Sequence, residues 1–166
     1  MKKAFTLVEL LVVIAIMSVL TVITVSQFQT AKKKANDVAR KGDLNALAKA
    51  LQMYYADYGR FPASSGGRIQ IGGSALAWGG MFADSTGYVY MKVLPEEKIL
   101  KTTFPFCYVT DATGTKFGLF AMLENKADSQ CVMNGANGSY THCGRNYCFA
   151  FVSPNTTATD LGGTMP

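Results

Sequence analysis

Few side chains in this sequence have the type and spacing to do chemistry. Cys107, Cys131, Cys143 and Cys148 all lie in the C-terminal part, with the only histidine, His142, beside Cys143. An even cysteine count in an exported domain points to two disulfides, and four cysteines allow three pairings among which the sequence does not choose. A zinc set of His142 with Cys131, Cys143 and Cys148 is the competing chemistry, but the spacing lacks the CxxC knuckle. Glu124, Asn125 and Asp128 are weak calcium candidates, because they do not follow the spacing of an EF-hand loop. A Ser-His-Asp triad would have to use His142, and no nucleophile motif accompanies it. No phosphate loop, dinucleotide fingerprint or HExxH is present. These observations predict a chain that is not an enzyme and carries no cofactor unless calcium binds.

The remaining unusual group is Glu9, a single acid near the start of an apolar block. Leu10–Val25 carries no charge, and 5–28 amounts to about 24 residues, enough to cross a ~30 Å hydrocarbon layer as a helix. The aliphatic residues of Leu10–Val25 favour insertion by roughly 3–7 kcal/mol, against ~3 kcal/mol for the acid. Insertion wins, and an acid retained at that cost is a functional residue by default.

The rest of the chain must position these groups. Hydrophobic residues make up 49% and charged residues 16%, and the apolar excess is concentrated at the N-terminus. Taking Lys2 and Lys3 from the 16 basic residues leaves three more than the 11 acidic ones, too mild an excess for a nucleic-acid reader. Residues 28–58 show helical spacing: Phe28, Ala31, Ala35 and Val38, then Leu44, Leu47, Leu51, Tyr54 or Tyr55, and Tyr58, read as one stripe. Gly42 interrupts it as a candidate bend; Gly59 and Pro62 end it. The tyrosines read as packing against a sheet. Gly66–Gly80 reads as a connecting loop, with a short helical turn at 75–78. Strands are predicted at 88–94, 106–110, 116–123 and 147–152, the middle two forming a hairpin around Asp111-Ala112-Thr113-Gly114. The predicted fold class is α+β, a long N-terminal helix packed on a small antiparallel sheet.

Three readings of the N-terminus compete: a secretory signal cut near Thr24-Val25-Ser26, a plain signal anchor, and a short cleaved leader. Met1-Lys2-Lys3-Ala4 followed by Phe5-Thr6-Leu7-Val8-Glu9 resembles the class III signal of type IV pilins and type II secretion pseudopilins. Departures are Ala4 for the usual Gly, Ser18 for a common Gly and Ser26 for a common Pro. The resemblance implies cleavage by a prepilin peptidase between Ala4 and Phe5, N-methylation of Phe5, and Glu9 as an assembly register that attracts the Phe5 amine of a neighbouring subunit. Snorkelling of Glu9 to the headgroups is the competing role.

The implied organisation is a leader at 1–4, a transmembrane and assembly half at 5–28, and a globular pilin domain at 29–166 with its helix at 29–58 and sheet region at 86–153. The implied function is a structural subunit of a pilus-like filament serving adhesion, motility or DNA uptake. The alternatives are the major pseudopilin of a secretion system and, from another class, a membrane-anchored or secreted enzyme. Implied partners are copies of the chain, the peptidase, a pilus or secretion assembly platform and the inner membrane, with no specific nucleic acid. The implied location is a single-pass inner membrane before assembly, then an extracellular filament or periplasmic pseudopilus. Lys32-Lys33-Lys34 reads as a solvated face or a headgroup contact. By charge alone it conflicts with an outward-facing C-terminus.

Overall fold

In the computed structural model, which describes residues 5–134, 137–154 and 156–161, the chain forms one long helix and a β-rich domain clasping its second half. Helix α1 runs Leu7–Tyr58, 52 residues, or about 78 Å at ~1.5 Å per residue. It continues through Ser26 and Gly42, neither of which ends it. It stops at Gly59, whose left-handed backbone (φ 67°) lets its N–H donate to the Tyr55 carbonyl at 2.8 Å.

Strands β1 (Ala63–Ser65), β2 (Arg68–Ile71) and β3 (Ser74–Ala75) form a small antiparallel meander. This corrects the loop expected over Gly66–Gly80, and no helical turn forms at 75–78. The glycine pairs at 66–67 and 72–73 all have positive φ and make the two tight reversals. Strands β4 (Phe82–Ala83) and β5 (Val89–Met91) pair next, so the strand expected at 88–94 is shorter than predicted.

The central sheet joins β6 (Cys107–Thr110), β7 (Phe117–Ala121) and β12 (Phe149–Val152) in the order β12-β7-β6, all antiparallel. The expected hairpin is β6–β7, with Thr110 opposite Phe117. Middle strand β7 is buried throughout, covered on both faces and paired along both edges. Two short pairs complete the domain: β8 (Met133–Asn134) with β9 (Asn137–Gly138), and β10 (Tyr140–His142) with β11 (Arg145–Tyr147). The strand expected over 147–152 is thus divided at Cys148 between β11 and β12. A 3₁₀ turn, Ala158–Leu161, follows.

The core lies between the second half of α1 and these strands. Leu44, Leu47, Ala48 and Leu51 are buried, and α1 packs on β5, β7 and β12. Cys107 pairs with Cys143, and Cys131 with Cys148, leaving no free cysteine. All three candidate zinc thiols, Cys131, Cys143 and Cys148, are therefore consumed, and His142 stacks on Phe120 with ring centroids 4.0 Å apart.

Candidate assembly surface

The helix presents two rows, not the single stripe expected. Leu44, Leu47, Leu51 and Tyr54 continue backwards through Arg40 and Asp37, which are 4% and 1% exposed. Phe28, Ala31, Ala35 and Val38 continue forwards through Gly42, Ala46, Lys49 and Met53, all exposed. At ~3.6 residues per turn these rows lie on opposite sides of α1. Phe28 and Val38 are each 70% exposed, so an apolar and small-residue face runs along the side turned away from the domain. It is continuous with the exposed apolar residues of 7–22.

Within that first half three hydroxyls are bonded internally. Ser18, Thr21 and Thr24 donate their hydroxyls to the carbonyls of Ile14, Met17 and Leu20 at 2.6–2.7 Å. Such back-bonding lets hydroxyls lie against lipid or another helix without an unmet donor. One helix in the chain, this one, is long and apolar enough to cross a membrane by length and composition, among the described residues.

The helix start is a capping box, which the sequence reading missed. The Thr6 N–H and hydroxyl donate to Glu9 Oε2 at 2.8 and 2.7 Å, and the Glu9 N–H donates to the Thr6 hydroxyl at 3.2 Å. The Thr-x-x-Glu spacing before an apolar run was the signal available. Glu9 thus has a local role besides any role between subunits, and its two bonds as acceptor use one oxygen, Oε2. Phe5 lies just outside the helix and is exposed; Met1–Ala4, on the leader side of the expected cut between Ala4 and Phe5, lie outside the described residues.

The ties between α1 and the domain base were also missed. Arg40 Nε and Nη2 donate to Glu97 at 2.6 and 2.9 Å, Nη1 to Asp37 at 2.6 Å, and Nη2 also reaches Glu124 at 2.9 Å. Asp37 accepts the backbone N–H groups of Glu124 and Asn125 at 2.9 and 2.8 Å. Glu97 accepts those of Ile99 and Leu100. Burial pushes the Glu97 carboxyl up, but the Arg40 bond, the two N–H groups and the guanidinium charge together hold it below the usual range. Lys41 pairs with Asp128 at 2.7 Å. Of the calcium candidates, Glu124 and Asp128 are therefore ion-paired to α1, and Asn125 is held through its backbone. Among the described residues no group of three or more His, Cys, Asp or Glu is placed to hold a metal ion. Asp37 and Arg40 read as a polar section in sequence because their partners lie 57 and more residues away.

At the upper end, Tyr54 stacks on Tyr58 and meets Tyr90 edge-on, with centroids 4.5 and 5.3 Å apart. Tyr58 donates to Asp84 at 2.9 Å and Tyr90 to Asp57 at 2.7 Å, fixing the β4–β5 hairpin to the helix end. Packing describes Tyr54 well; Tyr55 and Tyr58 are more than a third exposed.

Residues 1–25 match the prokaryotic N-terminal methylation motif. The chain is 29% identical over 114 residues to the type IV wide pilus major component PilA4 of Thermus thermophilus, covering 60% of this chain and 87% of that protein. It is 35% and 39% identical over 66 residues to the type II secretion system core protein G of Pseudomonas aeruginosa and of Klebsiella pneumoniae. Those matches cover 40% of this chain and less than half of each relative, 46% and 47%. No solved structure is a significant match. With the motif at its start, the long half-exposed helix behind it and these relatives, the chain is a homologue of the type IV pilins and of the type II secretion pseudopilins.

Proposed function

We propose that this chain is the structural subunit of a type IV pilus-like filament, stored in the membrane by the first half of α1 and polymerised through it. The observation that carries this reading is the unpartnered face of α1. Apart from Lys49 it is apolar or small-residue from Leu7 onward, turned away from the domain through Met53, and has no partner among the described residues. Lipid covers its first half before assembly, and other subunits cover it afterwards. Cleavage before Phe5 frees an amine, and Glu9 attracts the amine of the next subunit, an attraction that strengthens as water is excluded. The second oxygen of Glu9 takes the amine while Oε2 keeps the cap.

A surface pilus is favoured over a short periplasmic pseudopilus by the two disulfides and by the coverage of the pilus relative. The higher local identity to protein G favours the pseudopilus for the helix region alone. Intact mass and N-terminal sequencing of the protein from its native host test the processing step, with N-methylated Phe5 expected as the first residue. Glu9→Gln then separates the two roles of this residue, since Gln still fits a capping box but carries no charge. Loss of filaments with membrane-bound monomer retained is the expected result. Unimpaired assembly would leave Glu9 as a cap only.

A further inference from the structure

The base of the domain carries a set of lysines that filament packing along the apolar face leaves unused. Lys32, Lys33 and Lys34 are exposed, and within the described residues none of them forms an ion pair. They lie on the flanks and domain side of α1, away from the Phe28–Val38 row. Two loops bolted to the next helical turns add to them. Glu97 and Glu124 are drawn inward by Arg40, while exposed Lys98 and Lys126, the latter with an interaction of its own, stand beside them on the same loops. Of the other acids there, Glu96 pairs with Lys101 and Asp128 with Lys41, and exposed Asp43 lies in the field of Lys98. Ile99, next to Lys98, is 53% exposed.

The distances along the helix fit a bilayer. From Leu7 to Lys32 the rise is about 38 Å, which spans a ~30 Å hydrocarbon core and ends in the headgroup layer. The first buried residue of the domain, Asp37, follows one turn later. Lysines on the outward side also oppose the usual charge bias of membrane insertion, a cost that calls for a compensating role.

We infer that this base is a docking surface for anionic phospholipid headgroups: the lysines bind lipid phosphates, Ile99 dips into the interface, and the stored subunit rests on the membrane. The inference rests on the membrane-storage reading above. Clusters of this size beside a membrane helix recruit acidic lipids through additive, salt-sensitive attraction.

The test uses the full chain reconstituted into phosphatidylcholine vesicles with or without phosphatidylglycerol. Ile99→Trp supplies a fluorophore at the base, with the unsubstituted chain correcting for Trp78. At equal mole fraction, headgroup-spin-labelled phosphatidylglycerol should quench it about fivefold more than labelled phosphatidylcholine, the enrichment expected beside one lysine at a charged surface. The preference should vanish near ~1 M NaCl, where screening reaches ~3 Å, and in the triple variant Lys32→Gln, Lys33→Gln, Lys34→Gln. Equal quenching by both lipids overturns the docking surface while leaving membrane storage intact. Equal quenching with loss of filaments in the triple variant overturns it in favour of a contact between subunits. Failure of the unsubstituted chain to float with neutral vesicles defeats the storage reading and the docking surface together.

Discussion

The two halves of α1 share a backbone and little else. Through residue 35 every described side chain is exposed, so the described residues give that half nothing to pack against. From Asp37 to Leu51 one face is buried and closed over by strands and an ion cluster, while the other stays bare. The second half is thus both core element and free surface. A helix can be stable for internal reasons on one side and remain open to intermolecular packing on the other, provided the two rows never share a position.

The contrast breaks most visibly at Arg40. Arg40→Ala would leave Asp37, Glu97 and Glu124 without their shared cation, and the domain should lose about 3–5 kcal/mol by denaturant titration. A loss below about 1 kcal/mol would mean that the cluster behaves as solvated surface. Reduction of the disulfides comes next. Closing separations of 36 and 17 residues contributes roughly 3–4 kcal/mol each in the chain-entropy picture. In detergent, circular dichroism should show the domain melting under reductant while the first half of α1 stays helical; simultaneous loss of both would erase the distinction.

Acid should act on the domain in a defined window. Thr86 and Tyr58 hydroxyls with the N–H groups of Thr86 and Tyr88 outweigh partial burial and hold the Asp84 carboxyl at about 2. Burial pushes Asp111 up, but the hydroxyls of Thr113 and Thr115 and the Lys116 N–H bring it to about 2. Folded values below the unfolded ones mean that this stability is complete above about pH 4 and lost as pH falls toward about 2. Denaturant midpoints measured from pH 6 to 2 should follow that course, with a shallower fall in Asp84→Asn. A midpoint rising in acid would contradict it.

The smallest effects belong to the bare face. A Cβ at Gly42 meets nothing within 4 Å, so Gly42→Ala should stabilise the monomer by up to ~1 kcal/mol through helix propensity. Val38→Ala should leave monomer stability within about 0.5 kcal/mol, as for other surface changes. Filament yield is where Val38→Ala should register, and a large monomer effect would show that Val38 is not on a free face.

The sequence made the long helix legible, together with its Gly59 stop, the β6–β7 hairpin and the α+β class, because each rests on local spacing. It was less informative where partners are distant. Phe28–Val38 and Leu44–Tyr58 share a period but not a phase: helical spacing already sets them on opposite sides, and the placement of the strands reveals which side is covered. Asp37 and Arg40 look solvated until Glu97 and Glu124 arrive from remote loops. The Gly66–Gly80 region hid two strands, β2 and β3, because glycine pairs read as loop whether or not short strands lie between them. The cysteine pairing followed no local rule at all. The Thr6–Glu9 cap was legible and overlooked, because Glu9 drew attention as a charge and not as a hydrogen-bond acceptor.

Both disulfides connect parts of the domain to one another, and neither reaches α1. In a fibre under tension, load enters through the packed helices and leaves through the domains. Between Cys107 and Cys148 the outer part of that path is cross-linked, whereas the packing of the domain on the helix rests on apolar contacts, tyrosine–aspartate bonds and the ion pairs of Arg40 and Lys41. Pulled hard enough, the molecule would part along the helix seam first, its cross-linked head swinging off α1 on the backbone tether at Gly59 before it unravelled.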